Sequence, residues 1–139
     1  MDQEVVDKHL QDLAAMVAHL RSYHQLTQTE LEANTTHLLA LQHALQRAIQ
    51  NLLDVAMHVL ASQGINDWED YRGAIIKLGD IGIMPAPFAG RISGMAHVRN
   101  ILVHAYTEME MDILWDLVQN RLDDFDQFSR YIIDSIEKE

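Results

Sequence analysis

The stretch 38-LLALQHALQRAIQNLLDVAMHVLASQG-64 decides the fold class. Leu38, Leu41, Leu45, Ala48, Ile49, Leu52, Val55, Ala56, Val59 and Leu60 recur at helical spacing, so one face of a helix turning by about 100° per residue carries them all. The spacing predicts a long helix over residues 34–62, with Gly64 as a C′ stop. Upstream, Val6, Leu10, Leu13, Val17 and Leu20 form a narrower stripe of the coiled-coil kind. Between the two, 27-TQTE-30 reads as a capping box, with Thr27 as N-cap and Glu30 reaching back.

Downstream, 65-INDWED-70 supplies a capping signal, with Asn66 or Asp67 opening a short helix that ends near Gly79. The turn 79-GDIGIMPAP-87 follows, and Pro85 or Pro87 suits a first helical turn, where no N–H is needed. A helix over residues 86–105 and a last long one over 109–137 are then expected. The last would bury Leu114, Leu117, Val118, Phe125, Phe128, Ile132 and Ile136. No segment alternates with the period of a strand. The expectation is an all-α bundle of about five to six helices, two of them long, forming one domain over residues 1–139.

Bulk properties narrow the function. The formal net charge is −11, which argues against a general nucleic-acid binder with a basic surface. It leaves room for a small positive cleft. Cysteine is absent, which excludes disulfides, zinc–thiolate sites and thiol nucleophiles. The opening MDQEVVDKHL is charged and lacks an apolar signal core, and no apolar run reaches the roughly 18 residues of a membrane span. A soluble, cytoplasmic protein is expected.

The chemistry concentrates in 99-RNILVHAY-106, inside a window from Ile81 to Thr107 that holds no Asp or Glu. On a continuous helix Arg99 and Tyr106 would share a face, while His104 would lie about 140° round from Arg99. One copy could hardly close both on a small group; two copies crossing at a two-fold axis would bring each Arg to the other's His. A His with a pKa of about 6.5 can take a proton from a ribose 2′-hydroxyl or return one to a leaving 5′-oxygen. An Arg can hold the phosphate. Keeping carboxylates away spares the anionic backbone repulsion, and His97 and Arg91 add weak positive character. The same residue types also suit a plain helix end, where Arg and His favour the macrodipole and its unsatisfied carbonyls. Residue types alone leave both readings open.

The motif and its surroundings resemble the HEPN superfamily, specifically the HepT-type toxins. The signature of those proteins is Arg, four to six residues, His, one residue, Tyr, with a polar residue after the Arg. Arg99, Asn100, His104 and Tyr106 fill those places. LQRAIQNLLDVAMHVLA is similar to the family's central helix, DWEDYRGAIIKLGDIGIMP to its middle segment, ISGMAHVRNILVHAY to its active-site helix and LVQNRLDDFDQF to its final helix. The likeness covers roughly residues 30–131; the first 25 residues are less diagnostic. It implies a HEPN-like homodimer and a metal-independent endoribonuclease toxin, with no cofactor. Arg99 and His104 would be catalytic and Asn100 supporting. It further implies an MntA-type nucleotidyltransferase antitoxin that silences the toxin by transferring AMP to Tyr106. A catalytically idle helical module that binds a nucleotidyltransferase or a nucleotide is the competing class, and such a module has no need for both Arg99 and His104.

Other side chains invite blander readings. Asp54 and His58, four apart on the long helix, could pair behind the site, or be an ordinary intrahelical contact. Arg47 is expected to pair with an acid. His97 and His104 lie two turns apart with no carboxylate between them, so a metal site is not expected. His9, His19, His24, His37 and His43 are expected to be solvated. The acids of RLDDFDQF are expected on a solvated face, and Met84, Met95, Met109 and Met111 in the core.

Overall fold

The computed structural model describes residues 2–104 and 107–138. Among them are eight α-helices, one 3-10 turn at Ser22–Gln25, and no strand. The helices are α1 Gln3–Arg21, α2 Gln28–Glu32, α3 Thr35–Ser62, α4 Tyr71–Asp80, α5 Ala86–Ile92, α6 Met95–Leu102, α7 Glu108–Asn120 and α8 Asp123–Glu137.

The axis of the molecule is α3, the helix expected from the opening stretch. The Asn34 side chain accepts the His37 N–H (3.1 Å) at its start. At its end Gly64 takes φ +72°, and the N–H groups of Gly64 and Ile65 return to the carbonyls of Ala61 and Leu60. That is a Schellman stop, and the left-handed residue it requires is a glycine. The stripe from Leu41 to Leu60 is buried, while Leu38 is half-buried.

Along α3 lies α1, the most extensive helix–helix contact described, and its expected stripe of Val6, Leu10, Leu13, Val17 and Leu20 is buried in full. One polar group interrupts this apolar contact. Asn51, only 8% exposed, donates to Asp12 (2.7 Å) and accepts from His9 Nδ1 (2.9 Å). Asp12 also pairs with Arg47, as expected for that arginine. The capping box of Thr27 and Glu30 is present at α2.

Elsewhere the expected boundaries need correction. The N-cap of α4 is Asp70, whose carboxylate accepts the Gly73 N–H (2.7 Å), not Asn66 or Asp67. The Asp67 carboxylate is instead drawn to Lys77 (2.8 Å), which lowers its pKa while Asp67 raises that of Lys77. The helix expected over 86–105 is two helices, α5 and α6, parted at Ser93 and Gly94. The Ser93 hydroxyl donates back to the Gly90 carbonyl (2.7 Å), and glycines at 90 and 94 weaken continuity by about 1 kcal/mol each. Pro87 does sit in the first turn of α5.

The last long helix also breaks, at Arg121 and Leu122. Asp124, 7% exposed, lies between Arg91 (2.8 Å) and Arg121 (3.7 Å), and Asp123 and Asp126 both pair with Arg21. Asp123 is exposed, as expected of a solvated face, but Asp124 is buried and Asp126 half-buried, and all three are ion-paired at the start of α8. The breaks, and the separate α2, raise the helix number above the expected five or six.

The middle helices close tightly on each other. A Cβ at Gly79 would lie 2.8 Å from the Ala89 Cβ and 3.1 Å from the Ala86 Cα, so the missing side chain lets α5 seat against α4. No described helix is long and apolar enough to cross a membrane.

Candidate active site

Arg99 and Asn100 lie in the last turn of α6, which packs on α3 and α4. Arg99 is half-buried because it reaches inward to both neighbours. Its Nε–H donates to the Gln50 Oε1 on α3 (3.4 Å), and its guanidinium carbon stands 4.7 Å from the Tyr71 ring centroid at the start of α4. Gln50 in turn donates through Nε2 to Asp54 Oδ1 (2.8 Å). Three elements therefore fix one cation.

Beside Arg99 opens a cleft of about 310 Å³. Asp70, Tyr71 and Arg72 form one wall and His97, Arg99 and Asn100 the other, with Ser93, Gly94 and Ala96 completing it. Arg21, Arg47, Arg91 and Arg121 are each committed to an aspartate. Arg72, Arg99 and Arg130 make no ion pair among the described residues, and the first two line this cleft. In an acidic chain, such a placement gives a local positive site suited to an anion.

The acid-free window holds along the sequence but not in space. Asp70 enters the cleft from α4, with one carboxylate oxygen taken by the Gly73 N–H, and Asp54 reaches Arg99 through Gln50. Arg91, expected to add positive character, is committed to Asp124 and lies over the Phe88 ring.

His104 follows the end of α6. Its N–H donates to the Ile101 carbonyl (3.3 Å), its ring is exposed, and it does not line the Arg99 cleft. Because α6 ends at Leu102, the angle reckoned along an unbroken helix does not apply to it. Exposed apolar side chains lie near it in sequence: Val103 (44% exposed), Met109 (74%) and Ile113 (38%), the last two one turn apart on α7. Met109 thus departs from the expected core position, whereas Met84, Met95 and Met111 are buried. Tyr106 lies outside the described residues.

Asp54 and His58 are not hydrogen-bonded to each other. Asp54 takes Gln50, and the His58 Nε2 accepts the Asp2 N–H (3.2 Å) at the start of α1. His19, His24, His37 and His43 are exposed, as expected, whereas His9 is half-buried; His9, His19 and His24 also engage Asn51, Tyr23 and the Val118 carbonyl. Among the described residues no group of three or more His, Asp or Glu is arranged to hold a metal ion. Gln50, Tyr71 and Arg72 were not singled out from the sequence. The one local signal was the spacing of Gln50 and Asp54, four apart on α3.

The family described as Ribonuclease HepT-like matches residues 4–132. The chain belongs to that family. A HepT-like relative, the mRNA nuclease HepT of Shewanella oneidensis, is 33% identical over 84 residues, which make up 60% of this chain and 63% of that protein. The match therefore spans less than two-thirds of the relative's length. Among solved structures, a tri-AMPylated Shewanella oneidensis HEPN toxin in complex with MNT antitoxin superposes with a TM-score of 0.84. Its identity is 22%, over 96% of this chain and 99% of that one. YutE, a cytosolic protein of unknown function from Bacillus subtilis, gives 0.85 at 19% identity over 99% and 92% of the two chains. The all-helical HEPN fold of the HepT-like proteins is the fold of this chain.

Proposed function

We propose that this chain is a metal-independent endoribonuclease toxin, a single HEPN-like domain acting as a homodimer. RNA is cut at a site built from Arg99 and His104 of both protomers, with Asn100 supporting. The observation that carries the reading is the Arg99 cleft: a fixed guanidinium without a carboxylate ion pair among the described residues, beside Arg72 and His97. Family membership and the relative named as an mRNA nuclease support the same reaction class.

In this reading the RNA phosphate sits against Arg99, which stabilises the charge developing on the phosphoryl oxygens. One His104 takes the 2′-hydroxyl proton as the 2′-oxygen bonds to phosphorus. The P–O5′ bond breaks, and the other His104 gives its proton to the leaving oxygen. The products are a 2′,3′-cyclic phosphate and a 5′-hydroxyl. His104 lies outside the cleft of its own chain, which favours a second copy to complete the site. Val103, Met109 and Ile113 offer the apolar surface that such a contact would cover.

The partner in this reading is an MntA-type nucleotidyltransferase antitoxin that transfers AMP from ATP to the Tyr106 hydroxyl, which loses its proton as pyrophosphate leaves. Each AMP brings an anionic phosphodiester to the position two residues past His104, where it would compete with RNA for the arginine. The protein would act in the cytoplasm.

The test is incubation of the protein, purified without a partner and shown by intact mass to be unmodified, with cellular RNA in EDTA. Cleavage by the wild type and none by His104→Ala is the expected result. Silence of both would sink the ribonuclease reading and favour an interaction module.

A further inference from the structure

We propose that Gln50 and Tyr71 are positioning residues that hold Arg99 in its reactive orientation, with Asp54 setting the orientation of the Gln50 amide. The proposal rests on the reading of Arg99 as the residue that receives the RNA phosphate. The geometry admits one arrangement. A carboxylate can only accept and a guanidinium can only donate, so an amide between them must turn its NH₂ to Asp54 and its oxygen to Arg99. The distances agree, at 2.8 Å for Gln50 Nε2 to Asp54 and 3.4 Å for Arg99 Nε to Gln50 Oε1.

The amide keeps a carboxylate one residue removed from the cation. A direct Asp54–Arg99 pair would neutralise the charge that an RNA phosphate needs. Through Gln50 the aspartate orients Arg99 while the arginine makes no ion pair among the described residues. Tyr71 supplies the second constraint. Its ring face, 4.7 Å from the guanidinium carbon, fixes the plane of the fork, and the hydrogen bond at Nε fixes its rotation within that plane. The two Nη groups have no hydrogen-bond partner among the described residues, and Arg99 lines the cleft, so this edge is presented to an incoming anion. Preorganisation of this kind raises the turnover rate more than it tightens substrate binding, because the guanidinium need not be reoriented as charge develops.

The test has two arms on the full-length protein. The first reads steady-state RNA cleavage in EDTA. Gln50→Leu and Tyr71→Leu should each lower kcat about tenfold with KM changed by less than about twofold, and Tyr71→Phe, which keeps the ring face, should restore most of the loss. In an Arg99→Ala background neither Leu substitution should lower kcat further, since both act through the missing arginine. Losses that multiply in that background, or wild-type kcat in Gln50→Leu, would overturn the proposal. Circular-dichroism melts keep an unfolded variant from being read as a catalytic loss.

The second arm does not depend on catalysis. The Arg99 Nε–H resonance should show an upfield ring-current shift that persists in Tyr71→Phe and vanishes in Tyr71→Leu. Absence of that shift in the wild type overturns the clamp. A shift present in a protein that cuts no RNA overturns the ribonuclease reading and leaves the clamp as geometry without the catalytic role proposed for it.

Discussion

Where α1 meets α3, five apolar side chains spaced by three and four are buried along a helix of 19 residues lying on one of 28. Where α4, α5 and α6 meet, the helices have 10, 7 and 8 residues and are joined by a glycine stop, Pro85 and a serine–glycine break. Helices that short are marginal alone and take their stability from the surface they pack on. The first region spends its sequence on burial. The second is carried by the first, and so can present Tyr71, Arg72, His97, Arg99 and Asn100 to one cleft. Stability and the candidate chemistry are therefore separable.

His104→Ala should separate them most sharply. It removes an exposed side chain beyond α6, so RNA cleavage should fall at least about a hundredfold while the melting transition stays within about 0.5 kcal/mol of wild type. A comparable fall in stability would show that the two regions are not separable at this residue. Leu13→Ala is the converse. It empties a buried site in α1 and should lower the unfolding free energy by about 3 kcal/mol in urea titration, with cleavage per folded molecule unchanged.

Gly79→Ala probes the join between the regions. The new methyl meets Ala89 and Ala86, so α5 must shift, at about 1–2 kcal/mol, and α6 with it. Both stability and cleavage should fall together, which neither of the first two variants does.

The smallest effect is expected at the pair of exposed Asp67 and half-buried Lys77. The Asp67 pKa is lowered by Lys77, so its contribution is complete above the unfolded-state value and is lost as pH falls through the folded one. The Lys77 pKa is raised by Asp67, so its share is complete below its unfolded-state value and is lost as pH rises through the folded one. Asp67→Asn should lower the melting temperature slightly at neutral pH and match wild type in acid. A persistent difference in acid would assign the effect to something other than the charge pair.

What could be read from the sequence follows the same division. The α1 stripe, the course and Schellman end of α3 and the capping box at Thr27 are written in residues within a few positions of each other, and each is present. The breaks at Ser93–Gly94 and Arg121–Leu122 are masked by apolar periodicity that continues on both sides; the first has a local cause in Gly90, Ser93 and Gly94, while the second goes with partners far along the chain. Arg121 and Asp124, for example, meet Arg91 from another helix. The site divides likewise. Arg99 and Asn100 stand out by motif, whereas Gln50 reaches Arg99 across 49 positions and Tyr71 from a different helix. No local pattern announces such contacts.

Asn51 carries a consequence of a different kind. The apolar residues of α1 and α3 are nearly interchangeable, and a slide of α1 by one turn, about 5.4 Å, would bury a similar stripe. It would also take His9 and Asp12 away from Asn51, leaving a buried amide without partners at about 1–3 kcal/mol. The leucines make the two helices adhere. The single amide tells them at which alignment to stop.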